Sequence, residues 1–404
     1  MTRRYRWVIL AAGTAAQASF AAASVGLPAL APALRSEYGL TLGETGVVLG
    51  AIALGMIPTL FAWGVLADRI GERAVLAIGL VLGGAALVAS GWTTGYWPLV
   101  ALLALAGAFG ASVNAASGRA VMGWFAEEER GLALGIRQAA IPIGGAAAAI
   151  ALPLLASAGG TKLALAALGV GAIVFGAIAA VLMRDPPHRG TASHAVGPAP
   201  LRDGLMWLLA GGSSLYLTAQ IAITGFVVLF LHGHRGLSTH AAAAVLALVN
   251  LLGIGARIAA GRWSDRVRAR LAPLRAVGLA LAVATVVAAL VVDAPLAVLI
   301  PALVVSGVLG LSWNGLSFTA SAERAGAARS GAALGLQQTS LAVAGALIPP
   351  AFAAVVSASS WRVAIGAAAI GPLVGVALLR RVPEARTRAT ARTPGMSAIP
   401  PAAR

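Results

Sequence analysis

The chain has 404 residues, 59% of them hydrophobic and only 10% charged, about half the charged share of a soluble globular protein, so a water-exposed surface cannot be built from it. Its net charge of +16 would suit a nucleic acid if the basic residues clustered, but they are scattered between apolar stretches. With no cysteine, disulfide frameworks and thiolate chemistry are excluded.

A bilayer core about 30 Å thick needs about 20 apolar residues per helix. Twelve windows of that kind follow in order: 8–34, 45–67, 74–93, 97–123, 131–157, 163–183, 204–231, 239–261, 273–292, 295–320, 331–356 and 361–380. Span one has a basic start and Ala21 to Ala23, which imitate a cleavable signal. It is kept as a helix because Thr14-Ala15-Ala16-Gln17 has a counterpart in span seven, Leu217-Thr218-Ala219-Gln220.

Between spans two and three lies Gly64-Val65-Leu66-Ala67-Asp68-Arg69-Ile70-Gly71-Glu72-Arg73, with a degenerate copy, Gly261-Arg262-Trp263-Ser264-Asp265-Arg266, between spans eight and nine. Gly64 would allow close helix approach, Asp68 could hold the positive start of a neighbouring helix, and the arginines could pair across it. The plain reading is a positively charged loop.

The one long polar interruption, 184–203, reads as a flexible linker. It divides the chain into 1–183, 204–381 and a tail, 382–404, expected to be disordered. At an offset of 200 residues, Gly131, Gly135 and Gln138 meet Gly331, Gly335 and Gln338, and Ser112, Asn114 and Ser117 meet Ser312, Asn314 and Ser317. Two matched six-helix halves in parallel order are the repeat of one large transporter architecture, with the substrate between them. The expected fold is therefore an all-α membrane protein of twelve transmembrane helices in two pseudo-symmetric bundles.

With the N-terminus inside, 22 of the 29 basic residues fall on the inner side and only Arg35, Lys162, Arg235 and Arg362 on the outer. That is the positive-inside asymmetry, and it places both termini in the cytoplasm of an inner-membrane protein. Trp7, Trp124, Trp207 and Trp263 mark inner helix ends, and Trp92, Trp97 and Trp361 outer ones.

Spans three, six, nine and twelve are nearly bare of polar side chains and should face lipid. The others carry Gln17, Asn114, Arg137, Gln138, Gln220, Asn250, Arg257, Asn314, Gln337 and Gln338, and should surround a hydrated path. The amides could equally be hydrogen-bond glue between helices, and Trp313 either a cavity wall or packing. Arg119 and Arg257 lie about 6 Å inside their helices and Arg137 about 10 Å. The first two could reach the headgroups or pair with Glu127 to Glu129, Asp68 or Asp265. No Asp or Glu lies comparably deep, so the path should be positive and suited to an anion. No His or carboxylate cluster has metal-ligand or catalytic spacing. Neither enzyme chemistry nor a cofactor is expected.

The loop motif resembles the signature of the major facilitator superfamily, Gly-x-Leu-x-Asp-Arg-x-Gly-Arg-[Arg/Lys], with Glu72 replacing a basic residue. The resemblance implies a carrier whose halves rock about a midplane site. It gives Gly64, Asp68, Arg69, Gly71, Arg73, Arg119, Gly261, Asp265 and Arg266 a gating role, with Asp68 near Gly331 when the outer side is open. Span eight, from Asn250 through Arg257, is similar to the helix of oxalate and monocarboxylate carriers in which an arginine engages the carboxylate. Gly253 stands where the monocarboxylate carriers place an acid, which puts proton symport through such a pair in doubt. The reading is a secondary transporter of a small organic or inorganic anion. Its partners are the solute, a coupling ion and the lipid bilayer, with no nucleic acid, and a monomer is expected. The alternatives are multidrug efflux by proton antiport, although Asn114 stands where drug/proton antiporters carry an arginine, and a non-transporting sensor.

Overall fold

A computed structural model describes residues 2–125, 127–184, 202–326 and 329–384. The helices are α1 (Thr2–Ser24), α2 (Ala31–Glu37), α3 (Leu42–Ile70), α4 (Glu72–Ser90), α5 (Tyr96–Trp124), α6 (Glu127–Leu182), α7 (Gly204–Ser214), α8 (Leu217–Thr224), α9 (Val227–Gly233), α10 (Thr239–Val267), α11 (Leu271–Leu290), α12 (Leu296–Ser312), α13 (Asn314–Ala325), α14 (Ser330–Ala358), α15 (Trp361–Ala368) and α16 (Ile370–Leu379). They make twelve crossings. α6 counts as crossings five and six, because Gly159 and Gly160 leave helical geometry, Gly160 at φ 70°, a conformation glycine adopts without steric cost. Crossing one is assembled from α1 and α2, crossing seven from α7 to α9, crossing ten from α12 and α13, and crossing twelve from α15 and α16. Most of the twelve apolar windows agree with these crossings to within a few residues, the helices running on by about a turn at the arginine-rich ends.

The few acids sit at helix ends, where orphan backbone N–H groups need acceptors. Thr41 and Glu44 form a reciprocal cap at the start of α3. Glu37 accepts from Thr161 N (2.9 Å) where crossing six begins, Asp203 from Leu205 N (2.9 Å), and Glu384 from Leu271 N (2.8 Å) and Ala272 N (3.2 Å). Other acids pair at the same levels: Glu129 with Arg6, Asp265 and Glu323 with Arg270, Asp203 with Arg324 and Asp293 with Arg362. Carboxylates are thus spent where the chain leaves the apolar layer.

Within each half the helices pack on one another, α1 on α6, α3 on α5 and α4 on α6 in the first, α10 on α12, α7 on α16 and α11 on α12 in the second. Between halves the main contacts are α3 with α14 and α6 with α10. α4, α11, α15 and α16 take part in none of the main contacts between halves. Their outward residues, among them Leu82, Leu279, Val283, Leu290 and Leu373, are exposed, as lipid-facing helices require. The internal repeat is visible in burial: the pattern of buried, intermediate and exposed residues along 101–118 recurs position for position along 301–318.

The halves meet tightly on the side away from the termini and part toward the arginine-rich side. A Cβ at Gly46 would lie 2.7 Å from Pro349 O, one at Gly50 2.7 Å from Ala346 O, and one at Gly145 2.8 Å from Asn250 Oδ1. Nearer the arginine-rich face, a Cβ at Gly64, Gly135, Gly261, Gly331 or Gly335 would meet no described atom within 4 Å.

Candidate functional site

Arg137 is the most buried cation among the described residues, 7% exposed. Its Nε donates to Ser117 Oγ (2.7 Å), Nη2 to Gln17 Oε1 (2.9 Å) and Val113 O (3.5 Å), and Nη1 to Gln138 Oε1 (3.4 Å). Crossings one, four and five are thereby tied to one guanidinium. Every acceptor is neutral, so no acid among the described residues compensates the positive charge.

Arg257 is half-buried on α10 and meets no acid among the described residues; Asp265 is held by Arg270 (2.5 Å) instead. Arg257 Nε donates to Leu311 O (3.1 Å) and Nη1 to Gln138 O (3.2 Å). Both carbonyls are free for a local reason. The helical partner of Gln138 O would be the N–H of residue 142, which is proline and has none. Leu311 lies in the last turn of α12, where carbonyls lose their intrahelical donors. Arg257 thus bridges crossing eight to crossings ten and five. Among the described residues its Nη2 group makes no hydrogen bond.

In the second half, Gln220 Oε1 accepts from Trp313 Nε1 (3.1 Å) and Asn314 Nδ2 (3.4 Å). Trp313 is fully buried and packs edge-on against Tyr216, ring centroids 5.5 Å apart, so it stands behind the cleft. Gln337 is also fully buried; its Nε2 donates to Ser213 Oγ (3.0 Å) and its Oε1 accepts from Ser321 (3.2 Å), while Ser317 donates to Ser213 (2.8 Å). Asn250, expected on the path, is sealed between α10 and α6: its Nδ2 donates to Leu246 O (3.0 Å) and its Oδ1 finds no partner. Gln138, Asn114, Asn314 and Gln338 are half-buried.

Sequence reasoning missed the serines. Ser117, Ser213, Ser317 and Ser321 complete the polar clusters, and the offset of 200 that pairs Ser117 with Ser317 was the available signal. The gating residues are scattered. Arg73 Nε donates to Ala180 O (2.6 Å) within its own half, Arg69 and Arg266 are exposed, and Gly71 turns the chain at φ 90°. The side chains of Asp68 and Arg119 lie outside the described residues, as do 185–201 of the linker and 385–404 of the tail. Among the described residues no group of three or more His, Asp or Glu could hold a metal ion.

The Major Facilitator Superfamily model matches residues 13–349. An uncharacterized MFS-type transporter of Mycobacterium tuberculosis is 33% identical over 380 residues, 93% of this chain and 84% of that protein. A probable sulfoacetate transporter of Cupriavidus necator is 28% identical over 165 residues, 41% of this chain and 38% of that one. Among solved structures, the xylose transporter of E. coli in a partially occluded inward-open conformation superimposes with a TM-score of 0.78 at 16% identity, covering 94% of this chain and 100% of that one.

Proposed function

Because the chain belongs to the Major Facilitator Superfamily, and is thus a secondary transporter rather than an enzyme, we propose that it moves a small organic or inorganic anion across the inner membrane by alternating access. The observation that carries this reading is the convergence of Arg137 and Arg257 on Gln138 from opposite halves, with no acid on either among the described residues. A buried cation left without a carboxylate is costly, and a bound anion removes that cost. Arg257, whose Nη2 is unspent, takes the anion; Arg137, held by four neutral acceptors, keeps the cavity positive and fixes Gln17 and Gln138.

Sulfoacetate, named for the Cupriavidus relative, carries two acid groups and belongs to this substrate class. Cation efflux is disfavoured because the described acids sit at helix ends. With the arginine-rich face in the cytoplasm, the conformation described is open inward, and the segment from Gly64 to Arg73 gates that side, with Arg119 and the copy at Gly261, Asp265 and Arg266. The remaining amides, Asn114, Gln220, Asn314 and Gln338, line the path, while Asn250 and Gln337 act from behind it.

The test is uptake of an anion panel into proteoliposomes. Arg257→Gln should reduce uptake by about 30-fold or more, the loss expected when one partner of a desolvated charged contact is removed, and Arg137→Gln should abolish it with membrane insertion intact. Undiminished uptake in Arg257→Gln would sink the anion assignment.

A further inference from the structure

A carboxamide has an acceptor end and a donor end, and its orientation is settled wherever a neighbour can only donate. Trp313 Nε1 is such a neighbour. It gives its hydrogen to Gln220 at 3.1 Å, and Asn314 Nδ2 approaches the same atom at 3.4 Å, so that atom is the oxygen. Gln220 Nε2 consequently points away from Trp313. It donates to no described atom, yet it is not among the buried polar atoms left without a partner, so it is accessible rather than sealed in the packing. The same logic fixes Gln17 and Gln138, whose Oε1 atoms face Arg137 Nη2 and Nη1. In all three, the oxygen faces a protein donor and the amino group donates to no described atom.

Resting on the anion reading, we propose that Gln220 selects the ligand by its other end: its N–H2 group reads a hydrogen-bond acceptor remote from the negative charge. Trp313 is the positioning residue that holds the amide this way round. The acceptor is a second acid group, a carbonyl or a hydroxyl oxygen. A distal ammonium can only donate and meets the donor end of Gln220, so ω-amino acids are rejected although their carboxylate fits. Discrimination of this kind is strong because a mismatched end leaves polar groups of the site unpaired.

The full-length protein is tested by ligand-induced thermal stabilisation with succinate, 4-hydroxybutyrate, butyrate and 4-aminobutyrate, and with their three-carbon and five-carbon counterparts. Acids with a distal acceptor should bind about tenfold tighter than the plain acid, as one hydrogen bond at a desolvated site allows, and the ammonium-ended acids should not bind measurably. Gln220→Glu turns a donor into an acceptor and should invert the order, placing 4-aminobutyrate above succinate. Trp313→Phe frees the amide to turn and should bring the ratio of hydroxyl-ended to plain acid toward one, while binding still depends on Arg257. The glutamate variant leaves Trp313 in place, so it carries the test alone if the phenylalanine variant fails to fold. A wild-type protein that treats hydroxyl and ammonium ends alike, or a Gln220→Glu variant with the wild-type order, overturns the proposal. Arg257→Gln separates the two readings. Loss of all binding there, with an unchanged order in Gln220→Glu, removes this inference and keeps the anion reading; full binding in Arg257→Gln removes the anion reading itself.

Discussion

The polar clusters around Arg137 and Gln337 occupy equivalent places in the two halves and do different work. In the first, a guanidinium on crossing five reaches Ser117 of crossing four and Gln17 of crossing one. In the second, a carboxamide on crossing eleven reaches Ser213 of crossing seven and Ser321 of crossing ten. Arg137 and Gln337 differ by the offset of 200, as do Ser117 and Ser317. The second cluster is neutral and closed on itself, and the first is charged and still has donors to offer. An internal repeat can therefore keep a structural slot while assigning the charge to one half, so that a symmetric scaffold holds an asymmetric site.

The largest expected effect comes from erasing that asymmetry. Gln337→Arg would place a second cation among neutral serines with no acid at hand, costing roughly 3–5 kcal/mol by the measure of an uncompensated buried charge. The melting temperature in detergent should fall accordingly, and the double variant Arg137→Gln with Gln337→Arg should recover part of the loss. Equal stability of wild type and Gln337→Arg would mean that the two slots are interchangeable after all.

A smaller contrast comes from removing the matching serine in each half. Ser117→Ala deprives a charged donor of its acceptor and should cost about 1.5–3 kcal/mol, whereas Ser317→Ala removes a neutral contact worth about 0.5–1.5 kcal/mol. Denaturation of both proteins under one condition gives the ranking, and the reverse order would contradict the division between a charged and a neutral cluster.

The smallest effect tests the bridge between halves. Pro142→Ala returns an N–H that competes with Arg257 for Gln138 O, so the KM for anion uptake should rise about two- to tenfold, the worth of one neutral hydrogen bond. An unchanged KM would show that Arg257 holds its place through Leu311 O alone.

Much of this was legible in the chain itself. Window length and charge spacing gave twelve crossings because a bilayer imposes a fixed thickness and penalises charge within it. The bare third, ninth and twelfth spans are the ones that stay out of the main contacts between halves, for the same reason. The buried position of Asn250 was not legible, since a polar residue on an apolar helix can face a watery path or a sealed contact with equal ease. The place of Trp313 behind Gln220 was hidden likewise, because an aromatic side chain serves as wall or as filling without any change in sequence pattern.

What the sequence determined alone is the number of helices, their repeat, and an excess of arginine over acid within the spans. These follow from local hydrophobicity and from counting. Pro142 even announced that the carbonyl of Gln138 would lack its helical donor. Only the tertiary structure decided which group fills that vacancy, because Arg257 is 119 residues away and reaches it through the packing of crossing eight on crossing five. The partners of a buried charge are chosen by which helices touch, and that is a property of the packed molecule.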